Sequence, residues 1–273
     1  MKKLVIGLMV AGVFLFATNA FALGGIDANT VLMLHSNGND GSANFVDSSF
    51  SNHSIIANGN AQIDTAQSKF GGASGLFDGT GDYLSLADSD DWNFGSGDFT
   101  IDSWVRYNTL PFAIDSVFCS QTTDLNNYFR FILNGDSTNN FVYQFVNAST
   151  VYTNAVTWNP TTNTWYHMAL VRSGNNLYFF VNGVQAGSTV TQVEFPANYT
   201  GALRISEFYG GGYTNGRMDE LRISKGIARW TSDFTPPTSE YEVASEKVIP
   251  EPATLSLLGL GLLGLVYRRK KAS

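Results

Sequence analysis

The sequence predicts an all-β chain, an antiparallel sandwich or barrel, on three observations. Short runs rich in aromatic and β-branched residues recur between clusters of Gly, Asn, Asp and Ser, the rhythm of strands joined by tight turns. In Phe141-Val142-Tyr143-Gln144-Phe145 every second residue is aromatic, which places three rings on one face of a strand, as a sheet with one packed face requires. Asn182-Gly183 stands between apolar residues and readily takes the positive φ values of a two-residue type I′ turn, so 177–186 reads as a hairpin. No central segment carries a convincing amphipathic helical period.

In chain order the expected strands are Val31–His35, Ser54–Ala57, Gly75–Asp78, Tyr83–Leu86, Phe99–Tyr107, Ser116–Ser120 and Tyr128–Leu133. Phe141–Val146, Trp165–Arg172, Leu177–Val181, Val184–Ala186, Leu203–Ser206 and Arg217–Ser224 complete the set. Each is bounded by turn-forming residues. Residues 239–249 are polar, hold Glu240, Glu242 and Glu246, and follow Pro236-Pro237, so they read as a linker.

The two ends differ from this middle. Lys2-Lys3, an apolar run from Leu4 to Phe16 and Ala20-Phe21-Ala22 form a secretion signal over 1–22, with cleavage expected after Ala22; the alternative is a retained anchor. At the other end Pro250-Glu251-Pro252 precedes an uncharged run from Ala253 to Tyr267 and then Arg268-Arg269-Lys270-Lys271. That run makes a helix of about 22 Å, short of a hydrocarbon core of about 30 Å, and inserts with thinning of the bilayer or snorkelling. The basic end stays cytoplasmic, which leaves the preceding chain on the outer side.

Charge and cysteine content exclude several functions. Residues 23–267 carry 23 acidic and 10 basic side chains, a net charge of −13. No basic stripe is available for phosphates, so nucleic acid is not an expected partner. Cys119 is the sole cysteine, so no internal disulfide and no multi-cysteine metal or redox motif can form. The length between the ends suits one β domain, expected over 23–238, rather than two.

Five stretches, in order, resemble the laminin-G-like, concanavalin A-like jellyroll modules of bacterial and phage surface proteins. They are residues 31–49, 70–86, 98–107 (DFTIDSWVRY), 165–188 and 216–237 (beginning GRMDELRISKG). The resemblance implies an antiparallel two-sheet jellyroll sandwich. Trp104, Trp165 and Trp230, each able to bury about 200 Å², are expected in the core. Arg222 and Arg229 flank Asp219-Glu220 and are expected to bond them and fix the closing strand. The tail 250–273 is similar to PEP-CTERM sorting signals, with Pro250, Glu251, Pro252, the short apolar helix and the basic end at Arg268 and Arg269 all in order. That likeness implies an exosortase-type processing enzyme, a transient hold on the inner membrane, and delivery to the surface or matrix of a Gram-negative cell. A plain C-terminal anchor is the alternative.

Catalytic chemistry is not expected. Glycosidases of this fold carry a Glu-x-Asp-x-Glu or Glu-x-Asp-x-x-Glu strand motif, whereas within the module the glutamates are Glu194, Glu207 and Glu220, unpaired on any strand. Asp102 lacks a nearby carboxylate and reads as a solvated strand residue. Asp88 to Asp91 read as a solvated loop. His35, His53 and His167 lack the spacing of a triad or a zinc protease, and His167, between apolar neighbours, reads as a packed structural histidine.

Two weaker patterns concern ligands. Asn37, Asp40 and Asp47 from the first loop, with Asp219 from the closing strand, suit Ca²⁺, which prefers six to eight oxygens. The alternative is ordinary turn capping. The family commonly has Phe-Asp where this chain has Ser36-Asn37, which removes one charge. Tyr209 and Tyr213 bracket a glycine loop, and Tyr152 with Trp158 forms a second aromatic pair. Such rings stack on sugars, or simply dress a surface hairpin. The expected function is an exported, non-catalytic binding or adhesion module for glycan or extracellular polysaccharide, the alternative being a structural matrix protein without a discrete ligand.

Overall fold

The computed structural model describes residues 25–111, 115–135 and 140–243. The signal segment and the sorting residues Pro250, Glu251, Pro252, Arg268 and Arg269 lie outside them. Among the described residues no helix is long and apolar enough to cross a membrane.

Sixteen strands are described. In chain order they are Thr30–Leu34 (β1), Ile55–Asn58 (β2), Gln62–Asp64 (β3), Ser74–Asp78 (β4), Tyr83–Leu86 (β5), Phe99–Tyr107 (β6), Ser116–Asp124 (β7) and Asn127–Leu133 (β8). Asn140–Asn147 (β9), Thr150–Thr157 (β10), Trp165–Ser173 (β11), Asn176–Val181 (β12), Val184–Gln185 (β13), Val190–Thr191 (β14), Leu203–Ile205 (β15) and Asn215–Lys225 (β16) follow. One sheet runs β13-β12-β11-β6-β16-β4-β3, with β1 also on β16 and β14 on β12; the second runs β10-β9-β8-β7-β15-β5-β2. All ladders between these strands are antiparallel.

The alternating aromatics of β9 do what their period requires. Phe141, Tyr143 and Phe145 are each wholly buried, and they reach rings of the facing sheet: Tyr143 lies 5.8 Å from Phe99 on β6 and Phe141 5.3 Å from Phe179 on β12. Burying one such ring is worth about 1.5–3 kcal/mol. The expected hairpin is present, with Asn182 at φ 50° and Gly183 at φ 77°.

β10 was not foreseen. It follows a turn at Ala148 (φ 46°) and Ser149 (φ 72°), the same left-handed pair as a type I′ turn without the Asn-Gly signature. As an edge strand, β10 exposes most of its residues. The short β3 and β14 were also missed.

At Asp219–Glu220 the register of β16 against β6 shifts, and Glu220 takes φ 51°. This bulge separates two partners on one edge of β16: β4 pairs with 215–218 and β1 with 221–224. A bulge re-aims side chains, and here Glu220 turns toward the outer side of the first sheet, where it meets His35 and Tyr241.

Two expectations are corrected. The linker proposed from residue 239 does not begin there: Tyr241 is buried beside Ile26 and Met33, Ile26 bridges Val243 in parallel, and the compact unit reaches Val243. Of the three tryptophans expected in the core, Trp165 is only half-buried. Trp104 and Trp230 pack on the outer side of the first sheet, Trp104 under Lys69 and Trp230 stacked 3.9 Å from Phe234. The tryptophan inside the sandwich is Trp92, whose Nε1 donates to the Ala87 carbonyl at 3.0 Å.

Candidate functional site

The period of two that sends Phe129, Phe131, Tyr143 and Phe145 inward sends Tyr128, Arg130 and Gln144 to the outer face of the second sheet. There they form one connected set. Tyr128 Oη and Arg130 Nε both donate to Gln144 Oε1, at 3.0 and 2.9 Å, and Gln144 Nε2 donates to Thr153 Oγ1 at 2.8 Å. Arg130 also pairs with Asp115 at 2.6 Å, both about one-fifth exposed. These planar groups are held in place yet remain in reach of solvent.

The segment between β15 and β16 lies over this face. Phe208 covers Val117, Ile132 and Val142, its ring 4.6 Å from Tyr128 and 5.1 Å from the Arg130 guanidinium. The Glu207 carboxylate accepts the Gly210 N–H and pairs with Arg204. Arg204 in turn sits 5.3 Å from the Tyr83 ring, and Tyr83 lies 6.4 Å from Tyr213. Tyr209, at φ 52°, is 58% exposed. The structure thus brings Tyr209 and Tyr213 to one face, beside polar groups that the sequence did not single out. The missed signal was the polar half of the alternation in β8 and β9.

Tyr152 and Trp158 are elsewhere. Tyr152 stacks on Phe145 at 4.8 Å, and Trp158 contacts Phe141 and Tyr166. Both are partly buried against the sandwich core.

The four oxygen donors considered for calcium serve separate capping duties. Buried Asp47 accepts the backbone N–H groups of Met33, Ser49 and His53. Asp40 accepts from Thr65, and Asn37 donates to Glu240. Asp219 Oδ2 accepts from the Lys69 and Phe70 N–H groups at 2.8 and 3.1 Å. Burial outweighs those bonds and pushes the Asp219 carboxyl up to about 7.

Asp102 is not a solvated residue. It is wholly buried on the outer side of β6, bonded by Arg222 and by Tyr241 Oη at 2.6 Å, with His167 Nε2 3.4 Å away. Burial raises its pKa, but the Arg222 charge and these hydrogen bonds outweigh that and hold it at about 2. His167 is depressed by burial and serves as a packed neutral ring. Arg222 therefore bonds Asp102, and Arg229 bonds Asp27 at 2.8 Å, instead of the Asp219-Glu220 pair. This layer ties strands together beneath the C-terminal segment.

The sequence profile of the concanavalin A-like lectin/glucanase superfamily matches residues 78–229. The chain belongs to this superfamily. A second profile, the PEP-CTERM protein-sorting motif, matches residues 248–271. No curated protein matches the chain. Among solved structures, the superfamily fold is shared with domain 4 of AbnA, an extracellular GH43 arabinanase of Geobacillus stearothermophilus, seen in complex with arabinotriose. The TM-score is 0.58 at 18% identity over 73% of this chain and 94% of that one. The binding domain of Paraclostridial Mosquitocidal Protein 1 gives 0.57 at 16% identity, covering 74% of this chain and 50% of that one. A botulinum neurotoxin type C structure, described as dependent on two ganglioside molecules for cell entry, gives 0.57 at 15% identity, covering 75% and 50%. The chain spans about half the length of those two toxin chains. At such identities the superfamily likeness concerns the fold.

Proposed function

We propose that the protein is an exported, non-catalytic module that binds glycan or extracellular polysaccharide through the outer face of its second sheet. One observation carries this reading: the Tyr128–Arg130–Gln144–Thr153 network on the outer face of the second sheet is joined through Phe208, 4.6 Å from Tyr128 and 6.4 Å from Tyr209, to that exposed ring. Sugars present hydroxyls that pair with planar donors and acceptors, and ring faces that stack on aromatics. The lectin-like fold and the arabinotriose held by the AbnA domain support this reading.

Hydrolysis would need two free carboxylates about 5–10 Å apart on either side of a bond. Glu207 and Glu220 are instead buried and engaged, and the exposed Glu194 accepts from Gln192 Nε2 at 2.9 Å. The PEP-CTERM tail supports export, an exosortase-type partner and a transient hold on the inner membrane of a Gram-negative cell. A glycan array probed with the exported protein tests the binding reading. Saturable binding to at least one polysaccharide is expected, weakened about tenfold or more by Tyr209→Ala or Gln144→Ala. Silence across the array, or binding indifferent to both variants, favours a structural matrix protein without a discrete ligand.

A further inference from the structure

A different corner of the molecule carries a feature that glycan binding does not use. His35 follows β1, Glu220 sits in the β16 bulge, and Glu240 lies on the C-terminal segment, yet one donor atom from each falls within 4.8 Å of the other two. His35 Nδ1 is 2.6 Å from Glu220 Oε1. The second Glu220 oxygen accepts the Tyr241 N–H at 2.7 Å, so the carboxylate is oriented from behind while Oε1 faces His35.

We propose that His35, Glu220 and Glu240 form a site for a divalent transition metal of the zinc type. One imidazole nitrogen and two carboxylate oxygens are a donor set that Zn²⁺ accepts, with Zn–N and Zn–O lengths of about 2.0–2.2 Å and a fourth position left open. An imidazole in the set favours such an ion over Ca²⁺, which takes oxygen ligands.

Three further observations support the site. Asp219, 1% exposed and adjacent to Glu220, has a carboxylate oxygen, Oδ1, without a hydrogen-bond partner. Two carboxylates, Glu220 and Glu240, thus converge on the single imidazole of His35, with a further buried oxygen close by in the chain. Gly71, at φ 57°, walls it: a methyl group there would collide with Asn37 Oδ1 and Glu240 Oε1, so the chain admits those oxygens only because the side chain is absent. Glu220 is also pre-aimed, its partner Tyr241 N–H and the bulge fixing its direction.

Bound metal would cross-link the N-terminal strand, the closing strand and the segment that leads toward the sorting tail. Binding displaces the proton shared between His35 and Glu220 and lengthens their contact to the separation that two ligands of one ion require. The site is thus a latch for the C-terminal segment.

Tag-free full-length protein, stripped with chelator and dialysed against ZnCl₂, should retain about one Zn²⁺ per chain by elemental analysis and melt at a higher temperature than the stripped form. Glu240→Gln alters a half-exposed residue whose hydrogen-bond partner is Asn37, so it keeps the fold; it should weaken retention about tenfold or more and abolish the thermal gain. His35→Gln should do the same. Zinc below about 0.2 per chain, retention unchanged in both variants, or displacement by an equal concentration of Ca²⁺ would each overturn the proposal. Glycan binding is scored separately, so failure of one reading leaves the other standing.

Discussion

Arg222 on β16 grips Asp102 on β6 at two points, Nε to Oδ1 at 3.0 Å and Nη2 to Oδ2 at 3.3 Å, with both side chains wholly buried. The two strands are hydrogen-bonded neighbours, so the ion pair runs across the middle of the first sheet. Tyr241 completes it from the C-terminal segment.

Asp102→Ala leaves the Arg222 charge buried without its partner and is expected to cost about 3–5 kcal/mol, read from the urea midpoint. Replacing both by apolar residues of similar size, Asp102→Leu with Arg222→Met, should cost far less. Equal losses for the single and double variants would show that the pair itself contributes the stability. Because the folded Asp102 titrates at about 2 against an ordinary 3.8, its contribution is complete above about 4 and is lost as pH falls from there toward 2.

Tyr241→Phe removes one hydrogen bond to that ionised carboxylate and should cost about 1.5–3 kcal/mol. The loss should shrink sharply when Asp102 has already been replaced by Asn. A double-mutant cycle on denaturation midpoints measures this coupling.

Asp219 and His35 both make the fold less stable as pH rises. Burial raises the Asp219 carboxyl from 3.8 to about 7, so between those values the native state holds a proton that the unfolded chain has released, and stability falls as pH rises from about 4 to 7 and levels off above. Burial works against protonation of His35, but the Glu220 hydrogen bond and charge prevail and raise its pKa above 6.5; its contribution is full below 6.5 and fades above. Depressed His167 acts in the opposite sense, losing stability as pH falls below 6.5. The melting temperature of chelated protein should therefore decline from about pH 6.5 to 7.5, and Asp219→Asn should flatten the part of that decline that falls near and below 7. A wild-type profile that rises over the same interval contradicts the assignment.

Gly183→Ala should destabilise by about 1–3 kcal/mol, for two reasons that act together. The position needs φ 77°, and an added methyl would strike the Phe234 carbonyl oxygen, while the Phe234 N–H already bonds Gly183 O at 2.8 Å. Asn182→Gly keeps the turn but removes the Oδ1 that accepts the His167 N–H at 2.9 Å, and should cost about 1 kcal/mol through that lost bond. Thermal melts of the two variants compare the lost side-chain bond with the strain and collision at Gly183.

The sequence was legible where local chemistry and burial agree. Phe141, Tyr143 and Phe145 announce their inward face by period alone, and Asn182-Gly183 announces its turn. β10 was hidden because Ala148 and Ser149 adopt left-handed backbone without the residues that usually signal it. Asp102 was misread because its partners, Arg222 and Tyr241, are distant in sequence, and only strand pairing brings a carboxylate, a guanidinium and a phenol together. The polar face of β8 and β9 was visible as alternation, but its meaning depended on Phe208, which the connection before β16 carries across the sheet. His35, Glu220 and Glu240 likewise converge only because β1 and β4 share one edge of β16, parting at the bulge.

Ile26 N–H bonds the Glu242 carbonyl at 2.9 Å, so entry and exit of the folded unit are stitched together on the side opposite Tyr209 and Gln144. Val243 therefore leaves the folded unit from the outer side of the first sheet, whereas Tyr128 and Gln144 belong to the second. Tension applied at Val243 would first unzip this parallel stitch and the Tyr241 plug before it reached the strands of the sandwich.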